Sequence, residues 1–247
     1  MNEGNILPNL ILSDAMNDDV DFIPLISDED EDSIKRSAMP DSIAILPLRN
    51  TVLFPGVILP ITVARKKSIQ LIRDAYSSTK IVGAVAQIDP AKEEPRHADL
   101  YKIGTVAHIV KILEMPDNTT TVIIQGRKRF ELHDAVNEDP YLVARIKEIE
   151  DIKPEKTEKE YEAIVSSVKD LSLKIIRLST NMPQEASFAV KNIESSTFLI
   201  NFVCSNSNIN LEDKQKLLTE NLLKQRGIML IEHLNKEIQM LELKNDI

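Results

Sequence analysis

The sequence predicts an α+β protein: a partly closed β-barrel with one short helix, followed by a helical bundle that runs into a long C-terminal helix. Three observations carry this expectation. Apolar residues between Ile43 and Glu150 come in short runs parted by turn residues; after Lys153-Pro154 they recur every three or four positions; and 43% of the 247 residues are hydrophobic, enough to bury a sizeable core.

The first 41 residues are set apart by charge. They hold eleven acids against Lys35 and Arg36, a balance of −9 that equals the net charge of the whole chain, so residues 42–247 are formally neutral. A neutral folded part argues against a basic nucleic-acid face. The leader, ending in SDEDEDSIKRSAMPDS, has too little apolar content to offset the entropy of ordering it and is expected to be a disordered, solvated spacer. A sharper reading makes it an interaction or steering segment that repels acidic surfaces.

Residues 45–63, ILPLRNTVLFPGVILPITV, are the most apolar stretch. Arg49-Asn50 splits it, and Pro47, Pro55 and Pro60 each remove a backbone donor, which excludes one helix. Two strands joined by a Phe54-Pro55-Gly56 turn remain, with Pro47 and Pro60 confined to edges or bulges. ARKKSIQLIRDAYSS places Ile69, Ile72, Ala75 and Tyr76 on one face of a short surface helix. IVGAVAQI reads as a buried strand and DPAKEEPRHADL as a charged loop. GTVAHIVKILEMPDNTTTVIIQGRKRFEL reads as a hairpin about Pro116-Asp117-Asn118, with a second bend at Gln125-Gly126. YLVARIKEIE closes a set of about six strands.

Helical periodicity then takes over. Tyr161, Ile164, Val165, Val168, Leu171 and Ile175 form one stripe, Pro183 ends it, and Phe188 to Val203 carries a second. A third begins at Asn210, a good N-cap with Glu212 and Asp213 behind it, and is expected to continue unbroken to about Leu243. Such a helix is roughly 50 Å long and reads as a connector to something further. The chain is thus divided into an acidic leader (1–42), a β-domain (43–152), a helical bundle (155–225) and the start of the connector (226–247).

Little in the sequence suggests catalysis. Six glycines, no two closer than 21 residues, exclude a P-loop, a dinucleotide fingerprint and a G-x-S-x-G elbow, each of which needs glycines within about six residues. The four histidines lack metal-ligand spacing, Cys204 sits among Leu199, Phe202 and Val203 as a buried thiol, and one cysteine forms no intrachain disulfide. No catalytic, cofactor-binding or metal-binding residue is expected. Without a basic n-region or an apolar run of about 18 residues, a cytoplasmic protein with no membrane association is expected. Two cationic triplets remain as candidate substrate or subunit contacts: Arg65, Lys66 and Lys67 at a helix start, and Arg127, Lys128 and Arg129 beside a bend. The bland reading of both is solvated surface.

AILPLRNTVLFPGVILPITVARKKSI, then IVGAVAQ, then LYKIGTVAHIVKILEMPDNTTTVIIQGRKRFEL, resembles the N-terminal domain of the Lon family of ATP-dependent proteases. The shared marks are L-P-L-R-N, V-x-F-P, the R-x-K-S-I helix, G-T-V-A with its hairpin, and G-x-x-R, together covering about residues 43–150. In the helix motif the residue after the arginine is usually acidic, where this chain has Lys66. The resemblance implies a PUA-like β-domain and a helical bundle that recognise unfolded, damaged or short-lived regulatory proteins and support a homohexamer. It also implies ATP, magnesium and a Ser-Lys dyad in ATPase and peptidase modules that this chain lacks. A stand-alone adaptor built on the same domain is the alternative. The isolated segment is expected to be a monomer or weak dimer, because its heptad stripe spans only about two repeats.

Overall fold

A computed structural model describes residues 38–114, 119–155, 158–179 and 184–245. The acidic leader up to residue 37, the Pro116-Asp117-Asn118 turn and the Pro183 break lie outside the described residues. Six strands form one sheet: β1 (Ser42–Leu48), β2 (Ile58–Val63), β3 (Ile81–Ala86), β4 (Ile103–Glu114), β5 (Thr120–Asn137) and β6 (Val143–Ile149). Their order is β2-β5-β4-β3-β1-β6, and β5 also pairs with β6, which closes part of the sheet into a ring. Only β1 and β3 run parallel; the other pairs are antiparallel.

The prolines sit where a missing donor is tolerated. Pro60 lies in β2, which pairs with β5 alone, and Pro47 lies beyond the three residues of β1 that pair with β6. Pro55 and Gly56 occupy the centre of a turn closed by Val57 N–H to Phe54 C=O at 3.2 Å, with Gly56 at φ 82°, a value glycine adopts without strain. The expected bend at Gln125-Gly126 is a bulge: Thr105 faces Arg129 while Ala107 faces Gly126. Gly126 also meets the turn edge-on, accepting from Gly56 N–H at 2.9 Å and donating to Val57 C=O at 2.8 Å.

Helix α1 (Lys66–Tyr76) covers the ring with Ser68, Leu71, Ile72 and Ala75. Leu71 and Ile72, each 1% exposed, contribute roughly 2 kcal/mol apiece by burial. The helical unit comprises α2 (Lys159–Leu178), α3 (Gln184–Asn192), α4 (Ser196–Asn206), α5 (Leu211–Thr219) and α6 (Leu223–Asn245). Its central member is α4, buried from Phe198 to Ser205 on all sides and opened by Ser195, whose side chain accepts from Phe198 N–H. Cys204 lies fully buried there, its thiol pushed up to about 12 by desolvation. One core cluster runs from the ring (Leu46, Phe54, Ile109) through to the helices (Val168, Leu199, Leu234).

Two expectations are corrected. The stripe from Phe188 to Val203 is two helices, divided at Ile193–Ser195. The single helix expected from Leu211 to Leu243 is also two, α5 and α6, parted at Glu220–Leu222. The cause is tertiary. Ile152, in the segment leaving the ring, pairs with Leu222: its N–H donates to Asn221 C=O at 2.8 Å and its carbonyl accepts from Leu223 N–H at 3.1 Å. Nor is α6 a free connector over most of its length. It lies parallel to α2, with Lys224 paired to Glu160 at 2.6 Å at one end and Lys174 to Glu242 at 2.7 Å at the other. Leu230, Leu234 and Ile238 are buried between.

Candidate functional site: a cleft between the ring and the helices

The two cationic triplets line two separate cavities that share no residue. Arg65, Lys66 and Lys67 open a cavity of about 460 Å³ at the start of α1, with Arg49, Arg96, Glu93, Glu94 and Tyr141 around it. Lys66 is exposed. Lys67 is paired with Asp139 at 2.7 Å, a contact that raises its pKa. Arg65 is half-buried against the Gln87 side-chain carbonyl, and burial, then the nearby Arg49, lowers it below the usual arginine value. The first turn of α1 has no acid and no side-chain cap, so its free N–H groups add to this positive rim.

Arg127, Lys128 and Arg129 line the second cavity, about 400 Å³, where the ring meets α4. Pro55, Ile149 and Phe198 give it apolar walls; Glu148, Glu150, Asp151, Lys153, Thr197 and Asn201 add to its polar lining. Lys128 is paired with Glu148 at 2.8 Å. Arg129 is not solvated surface as the bland reading held: it is 2% exposed. The bulge at Gly126 turns it inward, where its guanidinium meets Asp151 at 2.6 Å, Leu218 C=O at 2.7 Å and Asn221 Oδ1 at 3.1 Å. Arg226, fully buried, reaches the same Asp151 oxygen at 2.6 Å, Asn201 Oδ1 at 2.9 Å and Glu220 C=O at 3.2 Å through Nε.

Two arginines thus share one carboxylate and occupy the carbonyls at the C-terminal end of α5, where the helix dipole favours cations. That contact fixes the end of α5 and ties β5, the β6 exit, α4 and α6 together. Burial pulls Arg129 down to about 10, Arg226 adds to the effect and Asp151 opposes it. At neutral pH it remains charged. The Nε atoms of Arg127 and Arg129 are buried without a hydrogen-bond partner. Chemically the cleft offers guanidinium donors and an apolar wall, a combination suited to holding polypeptide or an oxyanion.

Sequence reasoning found the two triplets but missed Asp151, Asn201, Asn221 and Arg226. Arg226 was discoverable, because it falls in the buried phase of α6 with Leu223, Leu230 and Leu234. Among the described residues, no group of His, Cys, Asp or Glu could hold a metal ion, and no helix is long and apolar enough to cross a membrane.

This fold, a six-stranded sheet closed in part into a ring and followed by a helical unit, is shared with solved Lon N-terminal domains. The chain matches the N-terminal domain of Mycobacterium avium complex Lon protease with a TM-score of 0.61 at 18% identity, over 78% of this chain and 98% of that one. It matches a Lon N-terminal domain protein from Xanthomonas campestris at 0.56 and 16%, over 77% and 97%. The chain belongs to the ATP-dependent protease La (LON) substrate-binding domain family, whose sequence profile matches residues 42–236. It is 50% identical over 241 residues to a Lon protease of Flavobacterium johnsoniae, covering 98% of this chain and 29% of that protein. It is 44% identical over 228 residues to one of Cytophaga hutchinsonii, covering 92% and 28%. The chain therefore spans under a third of the length of these relatives.

Proposed function

We infer that this chain is the non-catalytic, substrate-engaging region of a cytoplasmic ATP-dependent protease, and that it binds unfolded or damaged polypeptide. The family match over residues 42–236 carries the reading. ATP, magnesium and a Ser-Lys dyad act in regions outside this chain, and the segment supports a homohexamer there. Unfolded chains differ from folded ones in exposing apolar side chains, so the binding face should be apolar and open. Ile152 and Leu222 suit that role: they are 57% and 48% exposed, paired through the backbone, and continuous with the cleft through Asp151.

Titrating the purified chain into a fluorescently labelled, permanently unfolded protein and following anisotropy tests this. Binding in the micromolar range or looser is expected. Replacing both apolar residues (Ile152→Ser with Leu222→Ser) should weaken it about fivefold, the equivalent of roughly 1 kcal/mol. Failure of the wild-type chain to bind any unfolded polypeptide rules the reading out.

A further inference from the structure

The walls of the cavity at the start of α1 are fastened in place. Lys67 pairs with Asp139 at 2.7 Å, and Tyr141 Oη donates to Asp74 Oδ2 at 3.1 Å, which ties residues 139–141 to the helix. Gln87, held by Arg65, donates through Nε2 to Asp89 C=O and Lys92 C=O at 3.0 Å each, which fixes the loop that carries Glu93 and Glu94. At about 460 Å³ the cavity falls within the roughly 300–1,000 Å³ usual for ligand sites.

Hydrogen-bond donors gather at one end of it. Ile69 N–H makes the first bond of α1, to Arg65 C=O at 2.9 Å, and no side chain caps the N–H groups of Lys66, Lys67 and Ser68 before it. Ser68 is a second, independent sign. It is 6% exposed, lines the cavity, and its hydroxyl has no hydrogen-bond partner among the described residues. A helical side chain leans toward the N-terminus, which brings this hydroxyl to the same end as the free N–H groups. Native folds seldom leave a buried hydroxyl without a partner.

The charges and the apolar lining narrow the ligand. Arg65 and Lys67 are engaged, but Lys66 and Arg49 are exposed and form no ion pair with any described residue. No acid stands in the first turn of α1 to answer the dipole. Glu93 and Glu94, exposed on the rim, oppose an anion in part. Ile45, Leu71 and Leu142 are buried and give the cavity an apolar side. A small inorganic anion would use the donors and leave that side empty. The last residue of a polypeptide carries a carboxylate and a side chain on one Cα and fills both.

We propose that this cavity captures the C-terminal carboxylate of a polypeptide whose last residue is apolar. The carboxylate accepts from the free N–H groups of α1 and from Ser68 Oγ, Lys66 and Arg49 add charge, and the last side chain lies against Ile45, Leu71 and Leu142. This is a second polypeptide site, apart from the Ile152 and Leu222 face, and it stands whether or not that face binds unfolded protein.

Anisotropy of an N-terminally labelled GSGSGLL peptide titrated with the full chain tests it. The free acid should bind, its C-terminal amide about tenfold more weakly, and a GSGSGSS acid about fivefold more weakly. Ser68→Ala should weaken the acid about threefold. Lys66→Glu places an acid where the helix dipole favours one, so the fold is kept; it should weaken the acid about tenfold and leave the amide unchanged. The variant carrying Ile152→Ser and Leu222→Ser should bind the acid as wild type does. Backbone N–H resonances of Lys66, Lys67 and Ser68 should move with the acid and not with the amide. Equal binding of acid and amide, indifference to Lys66→Glu, unmoved resonances, or displacement of the peptide by an equal concentration of inorganic phosphate overturns the proposal. If unfolded protein binds and the peptide does not, this site alone is overturned.

Discussion

Removing the Asp151 carboxylate strikes the point where ring and helices are joined. In Asp151→Ala, Arg129 and Arg226, 2% and 0% exposed, keep their contacts to Leu218 C=O and Asn201 but lose the carboxylate they share. Breaking a buried pair by deleting one partner costs about 3–5 kcal/mol. Because Asp151 is itself 14% exposed and the guanidiniums retain neutral acceptors, the lower end, about 3 kcal/mol, applies. For a domain of this size that lowers Tm by roughly 6–12 °C. Differential scanning calorimetry of the full chain measures it. Adding Arg129→Met should recover part of the loss, since one unpaired cation is removed together with the surplus, giving a coupling of about 1.5 kcal/mol or more in the double-mutant cycle. A single variant within about 0.5 kcal/mol of wild type, or purely additive losses, would refute the shared-carboxylate account.

Three further outcomes can be checked by unfolding measurements. A Cβ on Gly126 would lie 2.2 Å from the Phe54 carbonyl oxygen, so Gly126→Ala should lose about 1–3 kcal/mol in urea unfolding, and a neutral result contradicts the close approach. Asn210 Oδ1 accepts from Asp213 N–H at 2.8 Å at the start of α5; Asn210→Ala should cost about 1 kcal/mol, visible as a lower urea midpoint at unchanged slope. Burial raises the pKa of Glu237, with Asn208 N–H and Lys214 opposing, so the folded state holds this proton more tightly than the unfolded chain does. Its contribution is therefore favourable below the unfolded value of about 4.3 and is lost as pH rises through the folded value. Glu237→Gln should flatten that fall, and an unchanged pH profile of Tm argues against it.

Most of the ring was legible because a half-buried strand writes its period and its turns into the chain. Phe54-Pro55-Gly56 specifies its turn locally, and the positions open to Pro47 and Pro60 follow from one missing donor each. The break between α5 and α6 was not legible. No proline or glycine lies between Leu211 and Gln225, and the interruption comes from Ile152 and Arg129, distant in sequence, which claim the backbone at Leu218–Asn221. Arg129 was misread for the same reason. A run of three cations looks solvated until a bulge turns one of them inward. The candidate site was thus half visible: the sequence marked its cations, while Asp151 and Arg226 became partners only through the packing of the ring on the helices.

The central claim is that this chain distinguishes unfolded from folded polypeptide. It is tested most directly by offering one protein in both forms, native and permanently unfolded by reduction and alkylation, and measuring each affinity for the chain. The unfolded form should bind in the micromolar range or looser and the native form at least tenfold more weakly. Equal affinity for both forms, or binding of neither, would contradict it.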